Sequence, residues 1–234
     1  MNRFANRSTE SELIDEAGIP FSDWETCLRE LNMVNTYLGG HRITVDGVRQ
    51  LLKNQQRKEV HICEIGCGGG DNLKAIAHSF DRNGEHIFKF TGVDINEACT
   101  VFARDNCKKI DAQFICSDYR EVVFDRKPDI IFNSLFCHHF SREQIVAMLS
   151  WMSKNTTTGF FINDLQRHPV AYHSIKWLTT IFSRSYLVKN DGPVSVKRGF
   201  LKAEWEEMLQ QANIKKYSIE WRWAFRYLVI VQHE

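Results

Sequence analysis

Val60-His61-Ile62-Cys63-Glu64-Ile65-Gly66-Cys67-Gly68-Gly69-Gly70 is the stretch that decides the fold of this chain. A short apolar run ends in an acid and breaks into glycines at 66, 68 and 70, and Asp71-Asn72-Leu73-Lys74-Ala75-Ile76-Ala77 then opens a helical pattern. Glycine carries no Cβ, so a strand that stops in such a loop lets a ligand approach bare backbone. Strand, loop and helix in this order hold nucleotide-like cofactors in α/β sheets. A dinucleotide fingerprint needs glycine at 71, where Asp71 stands, and a P-loop needs Lys-Ser or Lys-Thr after its last glycine. Neither pattern is present.

Two further runs extend the pattern. Phe88-Lys89-Phe90-Thr91-Gly92-Val93-Asp94-Ile95 is a second apolar run that ends in an acid. Asp94 lies about 24 residues past Gly70, near the distance at which a second strand delivers a carboxylate to a ribose. Such a carboxylate accepts hydrogen bonds from both sugar hydroxyls and so favours an unphosphorylated ribose. Ala112-Gln113-Phe114-Ile115-Cys116 forms a third run, closed by Ser117-Asp118-Tyr119. One acid at a strand end is ordinarily a cap or a solvated loop residue, whereas three acids closing three successive strands point to a ligand.

The series acid-x-Gly-x-Gly-x-Gly, with Glu64, Gly66, Gly68 and Gly70, resembles motif I of the class I S-adenosylmethionine-dependent methyltransferases. Over nearly the whole chain, from Leu38-Gly39-Gly40-His41 to Asn190-Asp191-Gly192-Pro193-Val194-Ser195-Val196, the sequence looks like bacterial small-molecule methyltransferases of polyketide, quinone and pigment pathways. The resemblance implies S-adenosyl-L-methionine as donor and S-adenosyl-L-homocysteine as product. It assigns Glu64, Gly66, Cys67, Gly68 and Gly70 to the amino-acid end of the cofactor and Asp94 with Ile95 to its ribose. Ser117, Asp118 and Tyr119 fall at the adenine, with Asn133 at the end of strand 4. The implied architecture is a Rossmann-like, mostly parallel seven-stranded α/β sheet with an antiparallel last strand and helices on both faces.

The chain divides into consecutive parts of one domain, 1–234. Residues 1–56 read as an N-terminal helical cap. Ser22-Asp23-Trp24-Glu25 has the form of a capping box. Trp24, Cys27, Leu28, Leu31, Val34 and Leu38 recur at helical spacing until Gly39-Gly40, and a short helix follows from Asp46 to Lys53. Residues 57–164 form the cofactor-binding core, with strands near 60–65, 88–94, 112–116, 129–133 and 159–163. Helices lie between them near 71–80, 97–109 and 142–153, the last capped by Ser141. Such alternation predicts a parallel sheet with ligands beyond the carboxyl ends of its strands. Residues 165–200 make a lid and acceptor segment, with a helix over 169–183 and a loop over 185–199. Residues 201–234 carry a helix over 202–212 and a hairpin of strands 215–222 and 226–232.

Composition limits the partners. The 234 residues are 43% hydrophobic and 25% charged, with net charge +1, so no global field draws nucleic acid. No apolar stretch approaches the ~20 residues that cross a bilayer. Residues 1–7 lack the apolar core of a signal peptide. Seven cysteines without a Cys-x-x-Cys pair suit free thiols, so the expected setting is the cytoplasm; a monomer or homodimer is expected.

The acceptor site falls at the ends of strands 4 and 5. Strand 4 runs into Asn133-Ser134-Leu135-Phe136-Cys137-His138-His139-Phe140, which resembles the region where small-molecule methyltransferases often carry a histidine pair. An alcohol or phenol acceptor must lose a proton, and histidine titrates near neutrality. His139 is therefore the first candidate base and His138 the second, against the plainer reading that they only position the loop. Strand 5 leads to Asn163, Asp164, Arg167, His168 and Tyr172. Arg167, His168 and Tyr172 are candidate acceptor contacts, with Asp164 an alternative partner for Arg167. The basic run Arg184, Lys189, Lys197, Arg198 and Lys202 suggests a lid over an anionic aromatic acceptor. Asn133-Ser134 and Asn163-Asp164 offer too few acids to predict a metal. O-methylation of a phenolic, quinone-like or carboxylate metabolite is the expected reaction. The rivals are a protein or RNA methyltransferase, disfavoured because Asn133-Ser134-Leu135-Phe136 lacks a Pro-Pro motif, and a non-catalytic cofactor-binding protein.

Overall fold

The computed structural model describes residues 4–16, 18–53, 55, 57–80 and 86–233. Two N-terminal helices, α1 (Phe21–Tyr37) and α2 (Gly40–Leu52), precede the alternating core. The core runs β1 (Glu59–Ile65), α3 (Asp71–Phe80), β2 (Ile87–Asp94), α4 (Glu97–Asn106), β3 (Ala112–Cys116), β4 (Ile130–Ser134), α5 (Arg142–Asn155) and β5 (Gly159–Leu165). Then come α6 (Pro169–Phe182), α7 (Tyr186–Arg198), α8 (Lys202–Gln211), β6 (Ser218–Arg222) and β7 (Arg226–Gln232).

The seven strands form one sheet in the order β3-β2-β1-β4-β5-β7-β6. β1 to β5 pair in parallel, β7 is antiparallel to β5, and β6 is antiparallel to β7. The order reverses between β2-β1 and β4, which opens a crevice at the carboxyl ends where an α/β sheet receives its ligand. Side chains of successive strand residues point to opposite faces. Ile62, Phe132 and Phe161 therefore meet α2 and α3 on one side, while Cys63, Ile131, Phe160 and Ile162 meet α5 and α8 on the other. Both faces are buried, which is why β4 and β5 read as unbroken apolar runs.

Three local expectations are corrected. The Ser22–Glu25 capping box does not form: α1 begins at Phe21 behind Pro20, without a side-chain cap, and Ser22 Oγ turns to Asp23 Oδ1. α2 begins at Gly40 instead of Asp46, because Gly39 takes the left-handed conformation (φ 79°) and starts a new helix at once. The stretch 185–199 is not a loop. Ser185 caps it by accepting from Val188 N–H, and it stays helical through Pro193. Proline in a helix interior costs about 3 kcal/mol. Here Leu187, Val188, Asp191, Val194 and Arg198 are all buried, and that packing overrides the turn signal of Gly192-Pro193.

α7 also anchors the N-terminal segment across the rim. Asp191 accepts from Leu13 and Ile14 N–H (2.8 and 3.0 Å), Ser8 N–H donates to Lys197 O (3.1 Å), and Arg7 donates to Arg198 O and Phe140 O. A 3-10 turn, Leu13–Asp15, is thereby held over the end of β4.

Candidate active site

The glycine loop, the ends of β2 and β4 and the inner face of α1 enclose a cavity of about 750 Å³. Its wall includes Glu64, Gly66, Cys67, Gly68, Asp94, Ile95, Leu135, Phe136 and His139. A second space of about 280 Å³, lined by Ser117, Asp118 and Tyr119, shares Gly66, Asp94, Ile95, Phe136 and Phe140 with the first. The three strand-end acids therefore border one continuous groove, and the exposed Ile95 lies along it.

Glu64 is buried and half satisfied. Asn72 Nδ2 donates to its Oε1 (2.7 Å), while its Oε2 has no hydrogen-bond partner among the described residues. His41 Nδ1 meets Asn72 Oδ1 at 2.8 Å and so fixes which end of that amide reaches Glu64. Burial pushes the Glu64 carboxyl well above the usual range, against the Asn72 hydrogen bond. A buried acceptor with an open valence beside a cavity suits a cationic donor. Asp94 is engaged on both oxygens, by Gly68 N–H at Oδ2 and Asn96 N–H at Oδ1 (both 2.9 Å), which locks the loop to β2. Asp118 accepts from the guanidinium and the backbone N–H of Arg120, so its carboxylate is already shared.

The glycines serve packing as much as ligand approach. At Gly66 (φ 69°) a Cβ would meet Phe136 at 2.2 Å, and at Gly70 (φ 74°) it would meet Cys107 Sγ at 2.7 Å. Burial raises the Cys67 thiol well above its usual range, which leaves it protonated and inert.

Asn133 departs from its expected role. It is fully buried on the opposite face of β4, where Nδ2 points to the sulfurs of Met148 and Met152 and Oδ1 accepts from Cys137. Ser134, one residue on, reaches the cavity instead.

A separate cavity of about 360 Å³ lies between α1, α6, α7 and the β6–β7 hairpin. Its wall is mostly aliphatic and aromatic, including Leu31, Val34, Leu165, Ile175, Leu178, Leu187, Val188 and Phe225. It shares Ile14, Leu31, Leu135 and His139 with the larger cavity. Leu135 holds φ 55°, strained for a branched residue, and its N–H donates to Asn163 O (2.9 Å).

Arg167, His168 and Tyr172 do not line either cavity. Arg167 is buried in a bidentate pair with Glu204 (2.8 and 3.0 Å) and donates to Phe4 O and Gly199 O, so it meets neither an acceptor nor Asp164. His168 caps α6, Nδ1 accepting from Val170 N–H, and stacks on Phe225. Tyr172 packs edge-on against Phe4. Ala171, Ile175 and Leu178 occupy the face of α6 that turns inward. The basic residues of 184–202 do not form a cationic lid either. Lys197 pairs with Glu10, Lys202 with Glu206, and Arg198 donates to His138 O.

The histidines carry partners that sequence reasoning did not find. His138 Nδ1 lies 2.7 Å from Asp164 Oδ1, and His139 Nδ1 lies 3.0 Å from Asp15 Oδ1, 124 residues away in sequence. Glu12 stands over both rings, Oε1 3.6 Å from His138 Nε2 and Oε2 3.9 Å from His139 Nε2. Ser195 Oγ donates to Glu12 Oε2 (2.8 Å), and Oε1 has no hydrogen-bond partner among the described residues. Burial lifts the Glu12 carboxyl to about 7, against the pull of His139 and Ser195. For Asp164 and Asp15 burial acts upward too, but His138 and His139 outweigh it and hold both below the usual range. The only sequence signal for this cap is a pair of acids flanking an apolar dipeptide, Glu12-Leu13-Ile14-Asp15.

Fold and crevice together are those of a Rossmann-like α/β sheet that takes its ligand at the carboxyl ends of its strands. Residues 62–159 match the family model of a methyltransferase domain. The plantazolicin methyltransferase BpumL, solved in complex with SAH, superposes with a TM-score of 0.67 at 15% identity, covering 92% of this chain and 94% of that one. Magnesium protoporphyrin IX methyltransferase (ChlM) from Synechocystis PCC 6803, with bound SAH, gives 0.56 at 17% identity over 83% and 84%. At these identities the likeness is one of fold. Among curated proteins, none matches the sequence. No helix among the described residues is long and apolar enough to cross a membrane.

Proposed function

We propose that this protein transfers the methyl group of S-adenosylmethionine to a small acceptor with an apolar body and an oxygen nucleophile, of the phenolic, quinone-like or carboxylate kind. The observation that carries the reading is the junction at Leu135 and His139, where the aliphatic cavity meets the groove lined by Glu64, Asp94 and Asp118. The open Oε2 of Glu64 fits the cofactor's α-ammonium, Asp94 borders the ribose, and Ser117, Asp118 and Tyr119 border the adenine. A mostly apolar cavity of this size suits a small molecule better than a protein or RNA chain. All seven cysteines are free thiols, in keeping with a cytoplasmic setting.

In the transfer the acceptor oxygen bonds to the methyl carbon as the carbon–sulfur bond breaks. The electron pair stays on sulfur, leaving S-adenosylhomocysteine. The protein's main contribution is alignment, worth about 7–11 kcal/mol in favourable cases. A hydroxyl acceptor sheds its proton at the histidine pair, where His139 alone borders both cavities.

Calorimetry with S-adenosylhomocysteine, and mass spectrometry of candidate acceptors for the gain of one methyl, test the reading. His139→Ala should cut turnover about 10²–10⁴-fold while leaving cofactor affinity nearly unchanged. Absence of cofactor binding, or turnover indifferent to His139, would overturn it.

A further inference from the structure

Three electron-pair donors converge above the histidine pair. Each imidazole has Nδ1 beside a carboxylate, Asp164 for His138 and Asp15 for His139, so Nδ1 carries the hydrogen. The lone pair of a neutral ring is then on Nε2, and both Nε2 atoms face Glu12. The separations of 3.6 and 3.9 Å are too long for hydrogen bonds. Glu12 is 3% exposed, yet among the described residues its Oε1 has no hydrogen-bond donor. The nearest guanidinium, Arg198, has Nε 3.7 Å away, but that N–H donates to His138 O and Nη1 donates to Glu10 O.

Building on the methyltransferase reading of the site, we propose that Glu12, His138 and His139 bind a divalent first-row transition ion in the wall of the acceptor cavity. One donor atom from each residue falls within 4.8 Å of the other two. Donors about 2.0–2.2 Å from a common ion stand about 3–4 Å apart, so a contraction of about 1–2 Å at most closes the set. Two imidazoles and one carboxylate are ligands such ions accept, with further positions left open on the cavity side. Asp164 and Asp15 supply the outer carboxylates that orient ligating histidines in metal sites. Ser195 steadies Glu12 in the same way, and Asp191 fixes the turn that carries it. An ion here places a Lewis acid beside the position where the acceptor's oxygen meets the cofactor. With Nε2 of both rings on the ion, the ion takes over from the histidine pair in deprotonation: it stabilises the acceptor's anion, and the proton passes to solvent.

The test is titration of the chelator-treated full chain with Co²⁺, read by visible absorption. We expect one saturable site per chain, with d–d bands and no thiolate charge-transfer band. Glu12→Gln and His139→Ala should each abolish it, and Asp15→Asn should weaken it about 10–100-fold. Binding of S-adenosylhomocysteine to Glu12→Gln, expected to persist, verifies that the variant is folded. Failure to take up Co²⁺, or uptake that survives both Glu12→Gln and His139→Ala, overturns the metal site. If wild type binds S-adenosylhomocysteine but no Co²⁺, the methyltransferase reading stands without the ion. If it binds Co²⁺ but no S-adenosylhomocysteine, the ion site stands and the methyltransferase reading fails.

Discussion

Asp129 and Glu64 lie at opposite ends of the same sheet, both 1% exposed, and their oxygens are treated in opposite ways. At the amino end of β4, Asp129 Oδ1 accepts from Arg57 and Thr157 Oγ (2.8 Å), and Oδ2 accepts from His61 N–H (2.9 Å). At the carboxyl end of β1, Glu64 has one oxygen bonded and one without a partner among the described residues. Glu12, over the end of β4, repeats the second pattern. A satisfied buried acid joins elements of the fold, whereas an acid left open at the rim faces something the fold does not supply. The comparison separates stability from function within one sheet, and substitutions at its two ends test it.

The largest effect on stability is expected at the satisfied end. Asp129→Ala strands His61 N–H and Thr157 Oγ and unpairs Arg57, which is partly exposed and can turn to water. The loss should be about 2–4 kcal/mol by urea unfolding. Affinity for S-adenosylhomocysteine should stay within about twofold, because no Asp129 atom borders the groove. A drop beyond about tenfold in folded protein would mean that the two ends are coupled.

Glu64→Gln should do the reverse. Loss of a charge-assisted contact costs about 1.5–3 kcal/mol, or about 10–100-fold in cofactor affinity. The ligand-free protein should not be destabilised at neutral pH. Glu64 is raised by burial, so its contribution to stability is full below the unfolded carboxylate value, about 4.3, and is lost as pH rises through the folded value. Glutamine has no such dependence, so the variant should gain on wild type between pH 5 and pH 8. Parallel stability curves across that interval would remove Glu64 from the class of open acids.

The same contrast explains what the sequence made legible. Periodicity and the strand-end acids were enough to read the sheet order's consequences, the crevice, and the groove of Glu64, Asp94 and Asp118, because local pattern and global fold agree there. Asn133, expected at the cofactor, turns away from the groove. A strand buried on both sides has no apolar alternation, and nothing local distinguishes Asn133 from Ser134. Arg167 and Tyr172 were assigned to the acceptor because their partners, Glu204 and Phe4, lie far away in sequence. Glu12 and Asp15 were missed for the same reason. Their place over the histidines depends on Asp191 and on Arg198, in a helix whose Gly192-Pro193 reads as a turn. Side chains whose partners come from another segment are fixed by tertiary docking alone.

The smallest effect is expected at Asp118, which has an intermediate character. It borders the adenine end of the groove, but Arg120 meets both of its oxygens at the surface. Asp118→Asn keeps an acceptor oxygen for the backbone N–H of Arg120 and loses only the charge. Stability should therefore change by no more than about 0.5 kcal/mol, as for an exposed ion pair. Cofactor affinity should fall by about 1 kcal/mol or less, roughly fivefold. A loss as large as that of Glu64→Gln would mean that Arg120 gives up the carboxylate when adenine arrives. Asp118 would then belong with the open acids, and Arg120→Ala should strengthen cofactor binding by releasing the carboxylate in advance.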